Sequence, residues 1–269
     1  MTLKRKLSCL KRKISGYKSC VVAFSGGQDS GFLLKVCSLV LPKTNILAVL
    51  AVSATYPKDE LRKAKILAKD IGVSLRVIKT AELNDKKFTV NSTFRCYFCK
   101  KELFSKLNII AKQHQDAQVI DASTLSDKKD FRPGNRAKEE HLVRSPLQEA
   151  GFTKDDVRFY SKKAGLSSWD KPSLACLASR IPYGRKISVL LLKRIHTAEK
   201  IIQRMGFRQV RVRDYGIFCR IEVPQQEIAK IVNVRGRLAD KLKNLGYTFI
   251  TLDLEGYRTG SMNEVIMRR

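Results

Sequence analysis

The run Cys20-Val21-Val22-Ala23-Phe24-Ser25-Gly26-Gly27-Gln28-Asp29-Ser30 decides how this chain is read. It opens with an unbroken apolar stretch, which suits a strand buried on both faces. A glycine pair follows. Apolar residues then return at helical spacing (Phe32, Leu33, Val36, Leu39 and Val40) and stop before Pro42. Strand, tight loop and helix in that order put the unpaired amides of a helix N-terminus next to the loop. Gly26 and Gly27 let the backbone take strained angles and come close to a ligand. Amides and helix dipole together make a cradle for an anion such as phosphate. The Gly-Lys-Ser/Thr ending of a Walker loop is missing.

Outward from this loop the alternation continues. Residues 46–52 read as a second strand, 57–71 as a helix closed by Gly72, and 74–78 as a third strand. Residues 97–112 read as a helix and 118–121 as a fourth strand. This order predicts an α/β fold with a doubly wound parallel sheet. Residues 91–99 and 123–146 are polar and irregular, and lie where open α/β sheets place ligands. Residues 155–164 look helical. Residues 169–186, rich in Pro, Gly, Ser and Arg, read as a loop carrying Cys176. Composition puts a boundary near Arg185, so residues 1–185 form one expected domain and 186–269 another. The second holds a helix (189–205), two strands (209–213 and 217–223), a helical stretch (225–245) and a last strand (248–254), a small α+β unit.

The chain has 269 residues, 43% of them hydrophobic, enough for a sizeable core. It lacks an apolar run near the ~20 residues that cross a bilayer. Residues 1–18 are basic but lack the apolar segment and cleavage site of a secretory signal, so a cytoplasmic location without membrane attachment is expected. The net charge of +28 predicts weak, salt-sensitive binding to nucleic acid and other polyanions. The basic residues are spread along the whole chain, with no aromatics interleaved as in a stacking platform.

Seven cysteines, an odd number in an intracellular chain, fit metal or redox chemistry better than disulfides. Cys96-Tyr97-Phe98-Cys99 is a C-x-x-C at a helix start. Cys176 lies in Lys171-Pro-Ser-Leu-Ala-Cys-Leu-Ala-Ser-Arg-Ile-Pro-Tyr-Gly184. Three thiolates from two loops could hold an iron–sulfur cluster with one iron left open. Zinc with a fourth ligand is one alternative, and a redox C-x-x-C with a separate Cys176 is another. His114 and His141 lack ligand spacing, and Cys20 and Cys37 look like core residues.

Ser25 to Ser30 resembles the PP-loop of the ATP pyrophosphatases, among them GMP synthetase, NAD synthetase, asparagine synthetase and the tRNA-thiolating enzymes. The resemblance implies an adenine nucleotide α-hydrolase-like fold and ATP held at Ser25, Gly26, Gly27, Gln28, Asp29 and Ser30. It also implies Mg²⁺ near Asp29 and adenylylation of an acceptor oxygen. Nearly the whole chain is similar to the LarE family, the pyridinium-3,5-biscarboxylic acid mononucleotide sulfurtransferases. The similar stretches include residues 95–100, Asp130-Phe-Arg-Pro-Gly134, Arg144-Ser-Pro-Leu147 and residues 169–184. Glu149-Ala-Gly151, Arg211-Val-Arg213, Arg220-Ile-Glu-Val223 and residues 252–264 complete the set. Two departures are Tyr215, in place of an expected histidine, and Asp121-Ala-Ser-Thr124, in place of Asp-Gly-Thr-Asn.

The family resemblance implies an ATP-dependent sulfurtransferase that converts a carboxylate to a thiocarboxylate in nickel-pincer nucleotide synthesis. Some members give up the sulfur of the cysteine matching Cys176. Others bind a [4Fe-4S] cluster through three cysteines, here Cys96, Cys99 and Cys176, and take sulfide or another external donor. Ser179, Arg180, Arg211 and Arg213 are the implied holders of the substrate phosphate or carboxylate. Glu199 and Glu222 match acidic positions near the reacting centre, and family members often form ring-like homo-oligomers. A tRNA-thiolating enzyme is the competing reading, since it would use the positive charge. A non-catalytic metal-binding module is a third, against which the complete PP-loop argues.

Overall fold

A computed structural model describes residues 2–53, 56–129, 133–172 and 176–267. Along the chain the elements are α1 (Leu3–Ser15), β1 (Cys20–Ala23), α2 (Gln28–Val40), β2 (Ile46–Val52), α3 (Lys58–Ile71) and β3 (Ser74–Lys79). Then come α4 (Lys86–Thr89), α5 (Arg95–Gln113), β4 (Gln118–Ile120), α6 (Gly134–Glu140), α7 (Pro146–Glu149) and α8 (Lys154–Lys163). The last are α9 (Val189–Arg204), β5 (Arg211–Asp214), β6 (Phe218–Glu222), α10 (Ile228–Asn233), α11 (Arg235–Lys243), β7 (Phe249–Leu252) and α12 (Glu264–Met267). They pack as two compact units: Met1–Glu82 with Phe94–Leu174, and Leu83–Thr93 with Ala175–Arg269. Among the described residues no helix is long and apolar enough to cross a membrane.

The first unit is the expected α/β fold. Its parallel sheet has the order β3-β2-β1-β4. β1 is central, which explains its unbroken apolar sequence. Val21 packs on one side with Phe104, Leu107 and Val119. Cys20 and Val22 pack on the other with Phe32, Leu33 and Phe152. α3 ends where Gly72 takes a φ of 77°, the left-handed conformation expected of a helix-closing glycine.

α1 was not foreseen, because basic residues dominate residues 1–18. Its register is set by Leu10 and Ile14, both fully buried in the first unit's core, with Leu7 packed beside them. Lys6 pairs with Asp156, and Lys13 with Glu149 at 3.2 Å. Glu149 also takes two hydrogen bonds from Arg144. These bonds, opposed by partial burial and helped by Lys13, hold its carboxyl at about 2, against an ordinary value of 4.5. A carboxyl depressed in the folded state adds stability above the unfolded value, and that stability is lost as pH falls through the folded one. The loss of melting temperature on acidification below about pH 4.5 should therefore be smaller in Glu149→Gln than in wild type. Parallel acid losses in the two proteins would contradict it.

The second unit has a three-stranded sheet of order β5-β6-β7, with β5 antiparallel and β7 parallel to β6. Ala198, Ile202, Val212, Ile221 and Tyr247 form its core. Arg185, where composition suggests a boundary, lies within this unit, which begins at Ala175. The unit also takes in Leu83–Thr93, and Asn91 explains why. Its side chain is fully buried, its φ is 60°, and its Nδ2 donates to the carbonyls of Ile181, Pro182 and Arg185 at 3.3, 2.7 and 3.0 Å. Gly184 N–H returns a bond to Asn91 O at 2.9 Å.

Candidate active site

In the first unit the loop after β1 has the form expected of an anion cradle. Gly27 caps α2 in extended conformation and has no side chain to bond the first-turn amides. Those amides have no carbonyl acceptor within the helix. The loop's own hydroxyls set its shape. Ser30 Oγ accepts from Ser25 N–H at 3.2 Å and donates to Gly27 O at 3.3 Å, while Ser25 Oγ accepts from Gly27 N–H at 3.4 Å. Asp29, in the first turn of α2, is the carboxylate of the right kind to hold Mg²⁺ beside phosphates. Amides, glycines and carboxylate together fit a magnesium-bound phosphate chain.

Gly26 has a packing reason of its own to be glycine. Its φ is +67°, and a Cβ there would lie 2.5 Å from the Cβ of Ala64 on α3. A helix packed against the loop therefore crowds this position. Three more contacts hold the loop. Tyr56 OH donates to Ser25 O at 2.9 Å, Lys171 Nζ to Gly26 O at 2.9 Å, and Gln28 Nε2 to Trp169 O at 2.6 Å. Lys171 also pairs with Glu60 at 2.6 Å. Burial pushes the Glu60 carboxyl up, but Lys171 and Lys63 outweigh it and leave the group below its usual range. Burial and the Glu60 charge push the Tyr56 phenol well up.

After β4, the departure at residues 121–124 forms a closed polar node. Asp121 is buried and accepts from Ser123 N–H and Oγ at 3.2 and 2.7 Å and from Ser145 Oγ at 2.6 Å. Lys138 Nζ donates to both serine hydroxyls. This alternative residue set satisfies its own polar groups.

The cysteines divide between the units. Cys96 and Cys99 belong to the first, in the opening turns of α5, where their spacing puts them on one helix face. Cys176 belongs to the second. Its carbonyl accepts from Ser179 N–H at 2.9 Å and from Arg180 Nη1 at 3.1 Å. Cys96 and Cys176 are exposed, Cys99 is half-buried, and none of the three is in a disulfide. They suit iron in kind. Among the described residues, however, no three His, Cys, Asp or Glu side chains form a group that could hold a metal ion. Residues 130–132 and 173–175, within two of the similar stretches, lie outside the described residues.

The second unit gathers the other candidate residues. Arg180 forks onto Glu199 at 2.9 and 3.2 Å, and Glu199 also accepts Val212 N–H at 3.1 Å. Arg213 forks onto Glu222 at 2.9 and 2.6 Å and bonds Ser179 O and Ser261 Oγ, both at 3.0 Å. Glu222 takes further bonds from Arg220 and Ser261. Arg211 bonds Val210 O at 2.8 Å and lies over the Tyr257 ring. Burial first, then the like charge of Arg180, push its guanidinium down to about 10.

Three buried guanidiniums (Arg180, Arg211 and Arg213) thus face two buried carboxylates (Glu199 and Glu222). Guanidiniums held in this way are the groups that bind a phosphate or carboxylate. Both glutamates orient arginines and belong to no metal-holding group among the described residues. Tyr215 stacks on Phe218 with ring centroids 4.7 Å apart. Asn91, Ser261, Glu60 and Lys171 were not foreseen as site-building residues. Asn91, Ser261 and Lys171 lie in stretches the sequence marked; Glu60 does not.

Comparison with known proteins places the chain. The family model described as NAD synthase matches residues 3–126. A protein of Lactiplantibacillus plantarum named pyridinium-3,5-bisthiocarboxylic acid mononucleotide synthase is 36% identical over 267 residues, spanning 99% of this chain and 97% of that one. This chain belongs to the LarE family. Two uncharacterised proteins are also similar. One, from Synechocystis sp., is 39% identical and spans 99% of this chain and 100% of its own. Another, from Methanocaldococcus jannaschii, is 31% identical, with shares of 93% and 94%. Membership of LarE makes the chain a PP-loop enzyme and implies use of ATP with Mg²⁺.

Proposed function

We propose that this LarE-family enzyme is an ATP-dependent sulfurtransferase acting on a carboxylate of a pyridinium biscarboxylate mononucleotide. The observation that carries it is the loop at Ser25 to Ser30: an uncapped helix N-terminus entered through glycines, in a chain similar end to end to a named mononucleotide synthase. A carboxylate resists sulfur nucleophiles because its charge is delocalised and oxide leaves poorly. Its oxygen attacks the α-phosphorus of ATP, pyrophosphate departs with the bonding electrons, and an acyl adenylate forms. Sulfide then attacks the acyl carbon, AMP leaves, and a thiocarboxylate remains.

The chain's own groups fit these steps. The amides of Gln28 and Asp29 bind the departing pyrophosphate, and Asp29 holds Mg²⁺. Arg211, Arg213, Arg180 and Ser179 bind the anionic groups of the acceptor, while Glu199 and Glu222 keep the guanidiniums in place. The first unit activates the acceptor, and the second binds it and mediates homo-oligomer contacts.

For the sulfur source we propose Cys96, Cys99 and Cys176 as ligands of a [4Fe-4S] cluster, which would supply a soft iron site for sulfide. Three accessible thiols, two of them one helical turn apart, support this. No step is assigned to the cluster. A second source is the exposed Cys176 thiol itself. Mass spectrometry of Cys176 after turnover separates the two, since donation turns it to dehydroalanine.

With ATP, Mg²⁺, acceptor and sulfide, the nucleotide products should be AMP and pyrophosphate. ADP and phosphate would refute the function.

A further inference from the structure

Two hydrogen bonds tie the PP-loop to residues 169–171, one donated from each side. Gln28 Nε2 donates to Trp169 O, and Lys171 Nζ donates to Gly26 O. The second joins residues 145 positions apart in the chain. Lys171 is also ion-paired to Glu60 of α3, with 15% and 10% of the two side chains exposed. Glu60 takes a further bond from Lys63 at 3.1 Å. One ammonium thus joins three elements of the first unit: the loop, α3 and the segment that runs on toward Cys176.

This placement has a physical consequence. The Gly26 carbonyl sits in a left-handed turn and accepts a bond from a distant, largely buried cation. Phosphates bound at the loop amides would bring negative charge to the group that Lys171 already holds. Charge-assisted bonds between largely buried groups are stronger than neutral ones and fix geometry. A displacement of the loop is therefore transmitted to the backbone at Trp169 and Lys171, because both sides are bonded to it. Lys162 lies over the Trp169 ring at 4.9 Å, giving that ring a defined environment.

We propose that Lys171 is a positioning residue that couples nucleotide occupancy of the PP-loop to residues 169–171. It acts through the Gly26 carbonyl and Glu60, and the proposal rests on the ATP-dependent reading given above.

Trp169 is the only tryptophan in the chain, so its emission reports on this segment alone. The test titrates full-length protein with ATP and Mg²⁺, without acceptor, following heat and Trp169 emission together. In wild type the emission change should track binding. Lys171→Met should bind ATP about tenfold more weakly, the loss expected for one charge-assisted hydrogen bond. It should also lose most of the emission change, and Lys171→Arg should restore it.

ATP affinity within twofold of wild type together with a full emission change in Lys171→Met would overturn the proposal. If that variant fails to fold, Glu60→Gln decides. It keeps the bond to Gly26 O but removes the paired charge, and should show a reduced emission change; an unchanged one overturns the coupling. If wild type itself gives no heat with ATP, the ATP reading falls and the coupling with it. ATP heat with a silent Trp169 removes the coupling alone.

Discussion

Gly26→Val is expected to reduce ATP-dependent pyrophosphate release by about a hundredfold or more, the effect of moving a reacting group by roughly an ångström. Two causes act together. The φ of +67° is poorly accessible to a β-branched residue and costs about 1–3 kcal/mol. The new Cβ would also meet the Ala64 Cβ at 2.5 Å, closer than carbon atoms pack, so the loop or α3 must shift. The loop amides move with it. The cause can be isolated: Gly26→Ala should be impaired, and combining it with Ala64→Gly should recover part of the loss by removing the opposing methyl. Wild-type ATP affinity in Gly26→Val would mean that the loop is not the nucleotide site. A double variant no better than Gly26→Ala would mean that packing against α3 is not the reason for glycine.

The largest expected effect on stability is at Glu222. Its side chain is fully buried and accepts from Arg213, Arg220 and Ser261. Glu222→Ala leaves the largely buried Arg213 guanidinium without its counter-charge, a loss of about 3–5 kcal/mol for a buried pair broken on one side. For a chain of this size that lowers the melting temperature by about 10 °C. Glu222→Gln keeps an acceptor oxygen and should cost less. A Glu222→Ala protein that melts within about 2 °C of wild type would show that water replaces the carboxylate, and that the arginine cluster is open to solvent.

The parts of the fold that could be read in advance share one property: their signal is local. Residues 20–40 show strand, glycine loop and helix in an apolar pattern, because β1 is buried on both faces and α2 on one. Gly72 marks the end of α3 because only a left-handed turn closes it there. α1 was hidden because its exposed face is almost entirely basic, although Leu7, Leu10 and Ile14 have helical spacing.

The assignment of Leu83–Thr93 to the second unit could not be read. It depends on Asn91 bonding carbonyls about 90 positions away. The same holds for the site. The residue types at Arg180, Glu199, Arg211, Arg213 and Glu222 were marked by their stretches. Their pairing, Arg180 with Glu199 and Arg213 with Glu222, is set by how strand and helix meet in three dimensions. Likewise, Lys171 was visible only as a residue near Cys176, since its partners are Gly26 and Glu60.

Adenylylation of the acceptor carboxylate is the central claim, and the fate of one oxygen atom tests it. The acceptor is prepared with oxygen-18 in its carboxylates and turned over with unlabelled ATP, Mg²⁺ and sulfide. If the carboxylate oxygen attacks the α-phosphorus and AMP is later displaced by sulfur, each AMP released during sulfur transfer carries one oxygen-18 and pyrophosphate carries none. Label in phosphate or pyrophosphate, or thiolated product formed with unlabelled AMP, would contradict the account.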